Sequence, residues 1–78
     1  NQNDQSKYKR IFVKIIVNGE IMEFKDDSTL LEIIKELKIE DKVMACAVNM
    51  DIVKKDVWTS YKPKENDSLE LLNFVGGG

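Results

Sequence analysis

Histidine is absent from this chain and cysteine occurs once, at Cys46. A single cysteine excludes an internal disulfide, and the Cys/His spacings of a metal site are missing. General acid–base work would fall to carboxylates, lysines or tyrosines. No constellation of them stands out, which argues against a self-contained enzyme. No apolar run approaches the roughly 20 residues that cross a membrane. No signal peptide is visible, and the chain begins at Asn1 without an initiator Met,. An excess of one charge is lacking too, since 12 basic against 14 acidic residues leave a net charge of −2. The basic clusters (Lys7, Lys9, Arg10; Lys54, Lys55) are too short to give an electrostatic footprint for nucleic acid. The expected setting is the cytoplasm, with neither nucleic acid nor membrane as a partner.

What is present makes one small domain. The 78 residues are 42 % hydrophobic and 33 % charged, an ordinary globular balance,. Residues 1–10 are polar with Tyr8 as their only aromatic, and read as a disordered leader or a cloning remnant,. Residues 11–75 hold the apolar periodicities of a folded body. Residues 76–78 are Gly76, Gly77 and Gly78, joined directly to an apolar strand. Glycine has no Cβ, so such an ending can thread a passage that a side chain would block. A frayed end would more often follow polar residues. The terminal carboxylate is the candidate reactive group.

Along the body, Ile11 to Val17 is β-branched and aromatic and predicts a strand. Asn18-Gly19 supplies the positive φ angles of a type I′ turn, and Glu20 to Lys25 returns as the second strand. Alternation sets Val13, Ile15 and Val17 on one face and Phe12, Lys14 and Ile16 on the other, with Lys14 marking the latter as outward. Ile21 and Met22 leave the return register open. Thr29 to Glu32 fits a capping box, and Leu30, Ile33, Ile34 and Leu37 predict an amphipathic helix to about Lys38, its apolar stripe turned to the core. Val43 to Asn49 predicts a strand with Met44, Cys46 and Val48 on one face and Val43, Ala45 and Ala47 opposite. Cys46 has no neighbouring cation to activate it and reads as a small buried hydrophobe. Asn49-Met50-Asp51 turns the chain, and Ile52-Val53 returns briefly. Trp58 reads as a packing anchor in an irregular or short helical stretch. A turn over Pro63 to Asp67 precedes the last strand, Leu69 to Val75, with Leu69 and Leu71 inward and Glu70, Leu72 and Phe74 outward. The order is that of an α+β domain, a small mixed sheet packed on one main helix.

These residues resemble the ThiS family of thiamine-biosynthesis sulfur carriers, within the ubiquitin-like β-grasp superfamily. The general β-grasp features are the Asn18-Gly19 hairpin, the Thr29-capped helix and the terminal Gly77-Gly78. More specific to the family are Ala47-Val48-Asn49 followed by Ile52-Val53 and Trp58, then Asp67, the Leu-rich last strand and the ending Val75-Gly76-Gly77-Gly78. The sequence departs from the usual pattern at Lys55, where arginine is more typical, and in its long leader. The resemblance implies a protein co-substrate with no catalytic side chains and no bound cofactor. An E1-like, ThiF-like adenylyltransferase would use ATP and Mg²⁺ to activate the Gly78 carboxylate. A cysteine desulfurase pathway would supply the sulfur, and a ThiG-like thiazole synthase would take it from the resulting thiocarboxylate. β-Grasp topology makes the first and last strands neighbours, so Phe12, Ile16, Leu72 and Phe74 are expected to form one exposed, partner-binding patch beside the tail. The other readings are a sulfur carrier for molybdopterin synthesis or tRNA thiolation, and a passive β-grasp interaction module.

Overall fold

The computed structural model describes residues 10–73, the side chain of Asn73 excepted. The expectations for the leader before Arg10, for Phe74 and for the terminal glycines lie outside the described residues. The chain runs β1 (Phe12–Val17), β2 (Glu20–Lys25), α1 (Leu30–Glu36), β3 (Val43–Val48), β4 (Asp51–Ile52), a 3₁₀ turn over Lys55–Val57, and β5 (Ser68–Asn73). One five-stranded mixed sheet results, in the order β2-β1-β5-β3-β4. β5 is parallel to β1 and antiparallel to β3. The fold is the expected α+β, β-grasp-like arrangement.

The hairpin forms as the Asn-Gly pair demands. Asn18 and Gly19 take φ of 49° and 86°, and the strands pair from Val17↔Glu20 to Phe12↔Lys25. This register settles the face of β2. Met22 lies opposite Ile15 and packs against the core, while Ile21 lies opposite Ile16 and faces out. Val13, Ile15 and Val17 are buried, as alternation requires,.

Helix α1 is capped as its sequence predicts. Thr29 Oγ1 accepts from the Glu32 N–H, and Glu32 Oε1 accepts in return from the Thr29 N–H at 2.8 Å. The first two helical N–H groups, of Leu30 and Leu31, donate to the carbonyls of Tyr61 and Trp58. A helix start leaves four amides without intrahelical partners, and here the distant segment Trp58 to Tyr61 takes two of them. The helix stops earlier than its stripe suggests. Lys38 turns left-handed at φ 61° and its N–H donates back to Lys35, so Leu37 closes the last turn half-buried.

Leu30, Ile33 and Ile34 bury against the inner face of the sheet with Phe24, Val48, Leu69 and Leu71. Trp58 closes one end of this core, 2 % exposed, and its Nε1–H donates to the Val53 carbonyl at 2.9 Å. The packing reading of Trp58 holds, with the indole's polar edge satisfied.

β3 departs from simple alternation. Its pairing with β5 slips between Val43 and Ala45, so Met44 is an extra residue on that strand. Met44 is therefore exposed and Val43 buried, the reverse of the expected faces, whereas Cys46 and Val48 point inward as expected. A bulge inserts one residue and exchanges the faces beyond it.

The β3–β4 turn carries Asn49 at φ 50° and Met50 at φ 73°, a second I′-like connection. Left-handed backbone costs a side-chain-bearing residue roughly 1–2 kcal/mol, and glycine avoids that cost. Met50 is 86 % exposed, so its side chain offers little packing in return. Met50→Gly should raise unfolding stability by about 1 kcal/mol, a Tm gain of about 4–8 °C for a domain of this size. Thermal melts check this, and a lower Tm would contradict the strain assignment.

Candidate functional site at the end of the last strand

β5 is the element from which the C-terminal segment departs, and its surroundings form the candidate site. Leu69 and Leu71 lock its inner face, at 0 % and 7 % exposure. Its outer face carries Glu70 and Leu72, opposite Ala47 and Ala45 of β3, and Ala47 in turn pairs with Ile52 of β4. Leu72 and Ile52 are exposed large apolar residues, and the two alanines between them are half-buried. The small alanines leave a shallow depression of about 270 Å³ bounded by Ile52, Glu70 and Leu72. An apolar hollow therefore sits beside the strand's exit.

The expected patch is only partly assembled. β1 and β5 are neighbours, but the register Ile16↔Ser68 separates their outward residues. Phe12 lies four residues before Ile16 and Leu72 four residues after Ser68. At about 3.3 Å per residue that places them roughly 26 Å apart along the sheet. Phe12 sits beside Lys25 at the far end, and Ile16 is half-buried next to Ile21. Phe12 thus does not share a surface with Leu72, Ile16 lies about 13 Å from it along the neighbouring strand,, and Phe74 lies outside the described residues. Sequence reasoning missed Ile52, Ala45 and Ala47, which complete the apolar surface around Leu72. Only the β3–β5 and β3–β4 pairings bring them together, so periodicity along one strand carried no signal for it.

Polar groups hold both sides of β5. Asn18 and Asn49, each the first residue of its hairpin turn, direct side-chain carbonyls at β5. Asn18 Oδ1 accepts from the Leu71 N–H and Asn49 Oδ1 from the Ser68 N–H, each at 2.9 Å. Asn49 Nδ2 also donates to Asp67 Oδ1, while Asp67 Oδ2 accepts from the Lys64 N–H. Upstream, Glu65 Oε1 accepts from the Lys14 N–H and from Arg10, tying the preceding loop to β1.

Cys46 lies on the inner face, 1 % exposed, opposite Leu71. Burial pushes its thiol up to about 11. A neutral, enclosed thiol is a poor nucleophile at physiological pH. Among the described residues, no group of three or more His, Cys, Asp or Glu side chains is arranged to hold a metal ion.

Comparison with known proteins settles what this arrangement belongs to. The ThiS family model matches residues 6–78. The chain belongs to the ThiS family. The sulfur carrier protein ThiS of Bacillus subtilis (strain 168) is 27 % identical over 63 residues, a stretch covering 80 % of this chain and 96 % of that one. A thiazole synthase of Paramagnetospirillum magneticum (strain AMB-1) is 30 % identical over 66 residues. That match takes in 85 % of this chain but only 20 % of the synthase, so the chain spans about a fifth of that relative's length. The crystal structure of the thiamine biosynthesis protein ThiS from Geobacter metallireducens superposes with a TM-score of 0.65, at 24 % identity. It covers 85 % of this chain and all of that one, and this likeness shows the fold.

The geometry of Cys46 yields a test. Its raised pKa means that folding favours the neutral thiol. That contribution is fully present below the ordinary value near 9 and is lost as pH rises through about 11,. Cys46→Ala should cost about 1 kcal/mol at neutral pH, and the gap between wild type and variant should shrink as pH rises through that window. Urea midpoints measured across the range check this, and parallel stability curves would contradict it. Alkylating reagents at neutral pH should label Cys46 only after unfolding.

Proposed function

We propose that the Gly78 carboxylate is the sulfur-bearing group of this chain. As a ThiS-family member the chain is a sulfur carrier of thiamine biosynthesis, and it works as a cytoplasmic co-substrate rather than as an enzyme. A carboxylate is a poor acyl donor because its leaving group is poor. An adenylating partner with ATP and Mg²⁺ corrects this: a carboxylate oxygen attacks the α-phosphorus, pyrophosphate departs and an acyl-adenylate forms. Persulfide sulfur, supplied by a cysteine desulfurase pathway, attacks the acyl carbon and displaces AMP. A second thiol cleaves the S–S bond, is left as a disulfide, and frees the thiocarboxylate. Thiazole synthase then takes the sulfur.

The observation that carries this reading is the family match running through Gly78, together with the enclosure of the one cysteine. Cys46 is the chain's other candidate sulfur-bearing residue, and its neutral buried thiol is unsuited to the task. A protein named thiazole synthase that is similar to this chain over a fifth of its length supports the pairing of carrier and synthase.

Incubation of the full chain with ATP, the adenylating enzyme and a persulfide source should replace one oxygen by sulfur. Peptide mass spectrometry should place it on the C-terminal peptide. Sulfur on Cys46, or an unchanged mass, would refute the assignment.

Recognition by the partners is assigned to the hollow around Leu72 and Ile52, since a contiguous apolar patch on a small domain usually marks a partner site. Leu72→Ser combined with Ile52→Ser should weaken binding to both the adenylating enzyme and thiazole synthase by about tenfold or more, with little change in Tm. Isothermal titration of the folded double variant checks this. Unchanged affinity for both partners would remove the hollow from the mechanism.

A further inference from the structure

β5 outruns its parallel partner. β1 ends at Val17, opposite Leu69, and the chain there turns away into the hairpin. The last backbone bond from this side is donated by the Asn18 N–H to the Leu69 carbonyl at 2.8 Å. The next group on the same edge of β5 is the Leu71 N–H. It donates to the Asn18 side-chain carbonyl, 53 residues away in sequence. One residue thus makes both bonds, the first with its backbone and the second with its side chain. The side chain extends β1 by one more rung, just before β5 ends at Asn73.

The turn itself does not require asparagine. Its φ of 49° at this position suits Asn, Asp or Gly,. Asp would also present an acceptor, whereas Gly would leave the Leu71 N–H without this one. The matching Asn49 holds Ser68, at the strand's entry. Asn49 therefore bears on where β5 begins, and Asn18 on its later half.

We propose that Asn18 is a positioning residue for sulfur transfer, its side-chain carbonyl holding the β1-side edge of β5 at Leu71, in the strand that leads to Gly78. The proposal rests on the reading that Gly78 carries the sulfur. Docking depends on the body of the domain, and presentation of the carboxylate depends on the strand that leads to it. Loss of the bond therefore acts on kcat of adenylation more than on KM.

The test uses the full chain and its Asn18→Gly, Asn18→Asp and Asn49→Gly variants. Amide hydrogen exchange is followed at Leu71, and steady-state kinetics are measured with the adenylating enzyme and ATP. In Asn18→Gly, Leu71 exchange should quicken and kcat should fall by about tenfold each, the equivalent of one hydrogen bond, with KM nearly unchanged. Asn18→Asp should restore both. Asn49→Gly should lower Tm without a matching loss of kcat. The proposal is overturned by unchanged Leu71 exchange in Asn18→Gly, or by wild-type turnover of that variant. An equal kcat loss in Asn49→Gly at the same Tm also overturns it. Should Asn18→Gly not fold, the scalar coupling between Leu71 N and Asn18 Cγ in the wild-type protein decides, and its absence overturns the proposal. A wild-type chain that is never adenylated refutes the Gly78 reading instead, while Leu71 exchange still decides whether the bond holds the strand.

Discussion

The pairing of β5 between β1 and β3 is the constraint on which the rest of the structure depends. The last strand in sequence is the central strand in space, parallel to the first and antiparallel to the third. Leu69 is fully enclosed and Leu71 nearly so, and both touch the core that α1 covers. Until β5 is in place, β1–β2 and β3–β4 are separate hairpins, each too small to be stable alone. Contacts this distant in sequence carry a closure entropy that a hairpin does not. The sheet therefore becomes one body only when β5 is seated.

That constraint gives the domain one fixed body. The last described strand is the central one of the sheet, held by β1 on one edge and β3 on the other. The inner face of β5 is committed to the core, and its outer face presents Glu70 and Leu72 beside the small Ala45 and Ala47. The core and the exposed apolar hollow thus use opposite faces of one strand, which the two-residue period of a sheet makes possible. The buried Cys46 belongs wholly to the inner face.

The polar bonds around β5 refine its placement. Asn18 and Asn49 occupy equivalent left-handed positions in the turns of the two flanking hairpins. Each reaches a backbone N–H of β5 that the ladder does not take. Asp67 and Glu65 hold the approach to the strand in a similar way, through backbone amides of Lys64 and Lys14. Side-chain acceptors thus serve where β-pairing runs out, and few buried amides go unpaired.

Much of the fold follows from local signals. Asn18-Gly19 set the first hairpin, Thr29 and Glu32 the helix cap, and alternation the inward faces of β1 and β5, because each depends on residues within a few positions of one another. Tertiary structure alone decided the bulge that turns Met44 outward, the distance between Phe12 and Leu72, and the grouping of Ile52 with Leu72. It alone decided the second use of Asn18, whose turn role is equally open to Asp or Gly. All four depend on the register between strands distant in sequence. Register is chosen by the burial of Leu69, Leu71, Cys46 and Val48 together, a collective condition that no single stretch of sequence carries.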